Sequence, residues 1–154
     1  PEIAETKDEY IEDFNARYPH YRMTPPKPSM DEGEADVSFA SENDRTFAEY
    51  QRQRALMLDK KFWPGEVVGF AEAWEAWKLD TDLADFTDLI DIALKAGSPP
   101  PNGATIGFFD ETQDFTPLEL ALVRHWGSYM DHFILAGDDD QCHPAGTLIR
   151  TTRG

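Results

Sequence analysis

The chain has 154 residues, 40% of them hydrophobic and 12% aromatic, enough for one folded domain with a sizeable core and too apolar for a disordered polymer. Its formal net charge of −16 disfavours a free-standing binder of phosphate backbones, because such binding depends on Lys and Arg neutralising phosphates. A single cysteine excludes an internal disulfide, no apolar run reaches the length of a membrane helix, and the opening PEIAETKDEY lacks the basic and apolar regions of a signal peptide, so a cytoplasmic protein is expected.

Residues 1–40 divide into an acidic, aromatic stretch without a motif and a connector, TPPKPSMDEGEAD, that is proline-rich and then acidic. Residues 41–97 read as helical. A first helical pattern, SENDRTFAEYQRQRALMLDKKFW, runs from Ser41 and stops at Trp63-Pro64-Gly65. Val67, Phe70, Ala71, Trp74 and Trp77 then recur at helical spacing. Such a row of aromatics is compatible with a base-stacking platform, but a helix burying its apolar face accounts for it more simply. A third pattern, DFTDLIDIALKAG, puts Phe86, Leu89, Ile90, Ala93 and Leu94 on one stripe and stops at Gly97, followed by the stiff loop SPPPNG.

Over residues 98–141 the period changes. ATIGFF, residues 104–109, is a short apolar run ending in DETQD, which predicts a buried strand. Thr116, Pro117 and Glu119 supply an N-cap, a proline at the first helical position and a capping-box glutamate for a helix running to Gly127. HFILAG, residues 132–137, is a second apolar run, ending in DDDQ. Strand, helix and strand with short connections predict a right-handed parallel crossover, which puts the ends of both strands on one edge of the sheet, where ligands of open parallel sheets bind.

Asp110 and Glu111 follow the first strand and residues 138–141 follow the second, so both acidic loops are expected to face one crevice. Paired carboxylates there suit a magnesium nucleotide: one holds the hard cation, in part through water, and the other orients and deprotonates an attacking water. A neutral amide such as Gln141 is suited to contact a terminal phosphate. The competing reading is that these carboxylates are solvated loop residues.

These residues carry a resemblance. IGFFDETQD resembles the Walker B motif of UvrD/Rep-type superfamily 1 DNA helicases, FILAGDDDQ resembles their following GDxxQ motif, and LADFTDLI resembles the DFxDLL segment that precedes Walker B. The agreement in order and spacing covers residues 62–141. The resemblance implies an α/β fold, part of a RecA-like P-loop NTPase domain with parallel strands, in which residues 41–97 form a helical insert that helps to contact single-stranded DNA. It implies ATP and Mg2+ as cofactors, with Asp110 binding magnesium beside Glu111, Glu111 activating water, Gln141 sensing the γ-phosphate, and Gln113 and Asp138 in the surrounding polar network. No GxxxxGK[ST] loop occurs in the chain and no second motor domain with its arginines is present, so the chain is expected to be a fragment of a first motor domain, inactive alone.

After Gln141 the helicase pattern stops at Cys142-His143-Pro144. Residues 142–154, CHPAGTLIRTTRG, resemble the first block of an intein, with Gly146, Thr147, Ile149, Thr151 and Gly154 matching its GTxVxTxxG-like pattern. That resemblance makes Cys142 the nucleophile that converts the Gln141–Cys142 peptide bond to a thioester. His143 would be a variable intein residue, and with one cysteine in the chain no Cys/His cluster exists to support zinc. The expectation is therefore a fragment of an ATP-dependent DNA helicase carrying an intein start, with single-stranded DNA and the remainder of helicase and intein as partners and no membrane. Two rivals are a non-catalytic acidic helical interaction module and another P-loop ATPase without unwinding activity.

Overall fold

A computed structural model describes residues 2–4, 8–25 and 41–137. In chain order these form β1 (Glu2–Ile3), α1 (Asp8–Arg17), α2 (Glu42–Ala55), α3 (Gly65–Thr81), β2 (Leu83–Ala84), α4 (Phe86–Lys95), β3 (Ile106–Phe109), α5 (Pro117–Gly127) and β4 (His132–Leu135). The fold is mixed α/β, mostly helical, with two small parallel sheets, β1 with β2 and β3 with β4. The chain divides into two compact units, Pro1–Leu89 and Ile90–Gly154, with the boundary inside α4.

In the first unit the core is aromatic. Phe14 of α1 is fully buried and packs its ring against Trp74 at 4.9 Å and Trp77 at 5.4 Å, both near edge-on. That geometry suits the ring quadrupoles and adds to the area buried. The N-terminal stretch read as lacking any motif thus supplies a central core residue. α1 carries Asp8 and Glu9 in its first turn and Arg17 in its last, signs that favour the helix dipole at both ends.

α2 begins at an N-cap, Ser41, whose side chain accepts a hydrogen bond from the Asp44 N–H at 3.1 Å. The helical pattern expected to run on to Trp63 instead breaks after Ala55. Met57 turns the backbone into the left-handed region at φ 55°, and Asp59 caps a single 3-10 turn, Lys60–Phe62. α3 follows and buries Val67, Phe70, Ala71, Trp74 and Trp77. The row of aromatics is therefore core, and none of these rings is free to stack on a base.

In the second unit β3 and β4 pair in parallel, Ile106 opposite His132 through Phe109 opposite Leu135. The observed strands sit within the expected runs, each slightly shorter. α5 crosses between them behind a complete capping box: Glu119 N–H donates to Thr116 Oγ1, and the Thr116 N–H donates to Glu119 Oε2 at 2.7 Å. Leu118, Leu122 and Val123 of α5 are buried. Gly127 at the end of α5 lies so close to Phe133 that a Cβ there would come within 2.8 Å of its ring. The expectation of a buried strand over residues 104–109 does not hold: Ile106 and Phe108 of β3 and Ile134 and Leu135 of β4 are exposed, and only Gly107 of the two strands is buried. The expected apolar stripe of α4 is also largely uncovered: no residue of that helix is buried, and Phe86 and Leu89 are exposed.

Candidate functional site

Each strand of the β3–β4 pair ends in a loop, and the two loops touch. Ala136 N–H donates to Phe109 O at 2.8 Å, extending the ladder by one bond past the strand ends. The backbone N–H and the Oγ1 of Thr112 both donate to Ala136 O, each at 2.9 Å. Thr112 is buried by this double tie. One step on, Gly137 approaches the other loop closely enough that a Cβ would meet Gln113 Oε1 at 2.6 Å and Thr112 Oγ1 at 3.0 Å. A side chain at 137 has no room without displacing Gln113.

Within the first loop the polar groups are ordered by one another. Asp110 is exposed, and its Oδ1 accepts the Glu111 N–H at 3.0 Å. Glu111, also exposed, adopts a left-handed backbone, φ 51° and ψ 36°, before the 3-10 turn Thr112–Asp114. A side-chain-bearing residue in that region costs about 1 kcal/mol or more, a strain retained where surrounding structure fixes it and often found at working sites. Gln113 Nε2 donates to Glu111 Oε2 at 2.6 Å, holding the carboxylate in one orientation. Two carboxylates, an amide and a tight turn thus lie together at the C-terminal end of β3. Asp110, Glu111 and Gln113 share this loop. Asp138, Gln141 and Cys142 lie outside the described residues. Among the described residues no group of three or more His, Cys, Asp or Glu is placed to hold a metal ion.

A second cluster, which sequence reading did not find, lies in the first unit. Asp85 has no exposed surface and accepts hydrogen bonds from Arg54 Nη1 at 3.0 and 3.1 Å, Lys78 Nζ at 2.7 Å and Trp74 Nε1 at 3.2 Å. Asp88 accepts from Arg54 Nη2 at 2.7 Å and Lys78 Nζ at 2.5 Å. The two aspartates also close a reciprocal cap on α4, Asp88 N–H to Asp85 Oδ1 and Asp85 N–H to Asp88 Oδ2, each at 2.8 Å. Two cations and two carboxylates therefore meet in a largely desolvated site, and at its edge the more exposed Glu75, hydrogen-bonded by Tyr50, adds a third carboxylate 4.0 Å from Arg54 and 3.7 Å from Lys78. Burial, reinforced by the Asp85 charge, pushes the Tyr50 hydroxyl far above its ordinary value. For Asp88, burial alone would raise the carboxyl, but hydrogen bonds from Lys78 and the Asp85 backbone outweigh it and the net shift is downward. The visible signal was Asp85-Phe86-Thr87-Asp88 ahead of an apolar run, a capping pattern in its own right. The DFTD stretch therefore has a structural role, fixing the first turn of α4 against α2 and α3.

No protein-family model matches this chain, and neither does any curated protein or solved structure. No helix among the described residues is long and apolar enough to cross a membrane.

Proposed function

We propose that this chain is the Walker B-bearing part of the first, RecA-like motor domain of an ATP-dependent DNA helicase, interrupted after Gln141 by the start of an intein. The observation that carries the reading is Glu111, held in a strained left-handed turn directly after a parallel strand with its carboxylate oriented by Gln113. Three further features support it: the parallel β3–α5–β4 crossover, the exposed Asp110 beside Glu111, and the close seating of Gly137 on Thr112 and Gln113.

The donor set fits a magnesium nucleotide. Magnesium keeps several waters and takes one or two protein carboxylates plus phosphate oxygens, so two carboxylates without a third ligand suit it better than an all-protein cage would. Asp110 would hold the cation, directly or through water, with Gln113, Asp138 and Gln141 contributing polar contacts around the nucleotide. When bound, the cation neutralises charge developing on the phosphates. Glu111 would accept a proton from the attacking water at its carboxylate, and Gln113 would keep that carboxylate from swinging away. Gln141 would report loss of the terminal phosphate to the rest of the motor.

Hydrolysis also needs a phosphate cradle and a lysine, and no GxxxxGK[ST] occurs in the chain. The activity accordingly belongs to a longer protein. At the seam, Cys142 Sγ would attack the Gln141 carbonyl carbon; the carbon–nitrogen bond to Cys142 breaks, the freed amine takes up the proton, and Gln141 becomes a thioester. Two observations test the reading. The coding sequence flanking this chain is expected to encode a P-loop upstream and arginine-bearing helicase motifs downstream. The purified chain, given ATP, magnesium and single-stranded DNA, is expected to show no turnover above a Glu111→Gln control. A flanking sequence without a P-loop, or turnover by the chain that Glu111→Gln removes, overturns it.

A further inference from the structure

Thr112 sits between Glu111 and the Gln113 that orients it, yet the helicase resemblance gives it no part. It is 9% exposed, although its neighbours Asp110 and Glu111 stand in solvent. Its N–H and its Oγ1 both donate to Ala136 O, each at 2.9 Å, so one residue of the first loop fills both lone pairs of a carbonyl on the second. The bonds at Glu111 itself are internal to the turn: its N–H to Asp110 Oδ1, its O from the Asp114 N–H, its Oε2 from Gln113 Nε2. They shape the turn but move with it. The Thr112 bonds fix the turn against the end of β4.

Left-handed backbone at a residue with a Cβ is unfavourable and persists only where the surroundings over-determine it. With Glu111 at φ 51°, release of the next residue would let the turn relax and carry the carboxylate with it. Thr112 supplies the anchor at that next residue. Its β-branched side chain has few rotamers, so aiming the hydroxyl at Ala136 O costs little entropy. On the other side, Ala136 leads into Gly137, where a Cβ would meet Thr112 Oγ1 at 3.0 Å and Gln113 Oε1 at 2.6 Å, and then into residues 138–141. The hydroxyl therefore lies where the two loops meet.

We propose that Thr112 is a positioning residue: its hydroxyl, bonded to Ala136 O, holds Glu111 where it meets the attacking water and couples that place to the loop carrying Asp138 and Gln141. The proposal rests on the reading of Glu111 above. Thr112 itself touches neither water nor nucleotide and acts through Glu111.

Thr112→Val keeps the branched shape and the backbone N–H to Ala136 O, so no buried carbonyl is orphaned and the hydroxyl alone is lost. Thr112→Ala removes the hydroxyl without placing a methyl beside Gly137, and Thr112→Ser retains it. In the 154-residue chain, amide hydrogen exchange followed by NMR is expected to quicken roughly three- to tenfold at position 112 and at Ala136 in the Val and Ala variants, the factor one net hydrogen bond contributes. Ser should return it toward wild type, and unchanged exchange in α3 verifies that the fold is kept. In the complete spliced protein, kcat for ATP should fall roughly tenfold in the Val and Ala variants, with nucleotide affinity within about twofold, and recover with Ser. In a Glu111→Gln background, Thr112→Val should bring no further loss. A lower unfolding midpoint with kcat kept, exchange rates equal in wild type and all variants, or a Thr112→Val loss that adds in full to that of Glu111→Gln each overturns the proposal. Absence of ATP turnover in the complete wild type sinks the Glu111 reading and this proposal with it. An active wild type with an equally active Thr112→Val sinks this proposal alone.

Discussion

Asp85→Asn is the substitution whose cost the structure specifies most fully. Asn keeps the shape of the side chain but has one oxygen where Asp85 uses two, Oδ1 for the Asp88 N–H and Oδ2 for the Trp74 indole N–H, so the change removes the negative charge and one of these two bonds. Arg54 and Lys78 would then keep Asp88 and the more distant, partly exposed Glu75, at 4.0 and 3.7 Å, and would lose the central carboxylate of a site where Lys78 is 3% exposed and Asp85 is fully buried. Breaking one partner of such a buried pair costs about 3–5 kcal/mol, against a typical total stability of about 5–15 kcal/mol. Urea unfolding followed by tryptophan fluorescence reads this directly, since Trp74 and Trp77 lie in the same core. The expected result is a large drop in midpoint with an unchanged slope. Adding Lys78→Met restores the balance of charge, so the double variant should cost less than the sum of its parts by roughly 1–3 kcal/mol. A single-variant loss below about 1 kcal/mol, or strict additivity, would refute the claim that these four charges form one desolvated unit.

Three further outcomes are expected, two from the geometry and one from the proposed function. Because the Asp88 carboxyl is lowered in the fold, its contribution is present above the ordinary value of 3.8 and is lost as pH falls through the folded value; unfolding midpoints should therefore drop below about pH 4, and Asp88→Asn should flatten that fall at the expense of stability near neutrality. Gly137→Ala would push aside the flexible end of the Gln113 side chain and press on Thr112 Oγ1, so it should cost the second unit about 1 kcal/mol at most, measured by thermal unfolding, whereas Gly65→Ala, with open space around it, should meet no such crowding. In the full-length precursor Cys142→Ala should leave the unspliced species by mass spectrometry while wild type yields ligated product; both persisting at precursor mass would return Cys142 to an ordinary loop residue.

Some of this fold was legible in the residues and some was not, for identifiable reasons. β3, α5 and β4 announced themselves because short apolar runs end abruptly in acidic turns and because Thr116-Pro117-Leu118-Glu119 writes a helix start in four residues. α3 was legible through its aromatic spacing. α1 was not, since only Ile11 and Phe14 of its ten residues are buried and two positions make no period. β1 and β2, at two residues each, are too short to carry a pattern. The apparent continuation of α2 to Trp63 failed because nothing in Met57 signals a left-handed turn. Likewise the candidate carboxylates at 110 and 111 could be read from order and spacing, but the backbone strain at Glu111 and its bond to Gln113 could not, because a positive φ at a non-glycine residue leaves no mark in composition. The Arg54–Lys78–Asp85–Asp88 cluster joins residues from three helices and the turn before α4, a coincidence only the folded chain displays.

The central claim is that Glu111 is the group that takes a proton from water during ATP hydrolysis. The measurement that tests it most directly is steady-state ATP turnover by the complete spliced protein, with single-stranded DNA present, for wild type and Glu111→Gln, alongside equilibrium binding of a fluorescent ATP analogue to each. Glutamine preserves the size of the side chain and can still accept from Gln113, so nucleotide affinity should stay within a few-fold while turnover falls by about a hundredfold or more, the range expected for loss of a general base. Turnover within about twofold of wild type in the Glu111→Gln protein, at equal nucleotide binding, would contradict the assignment.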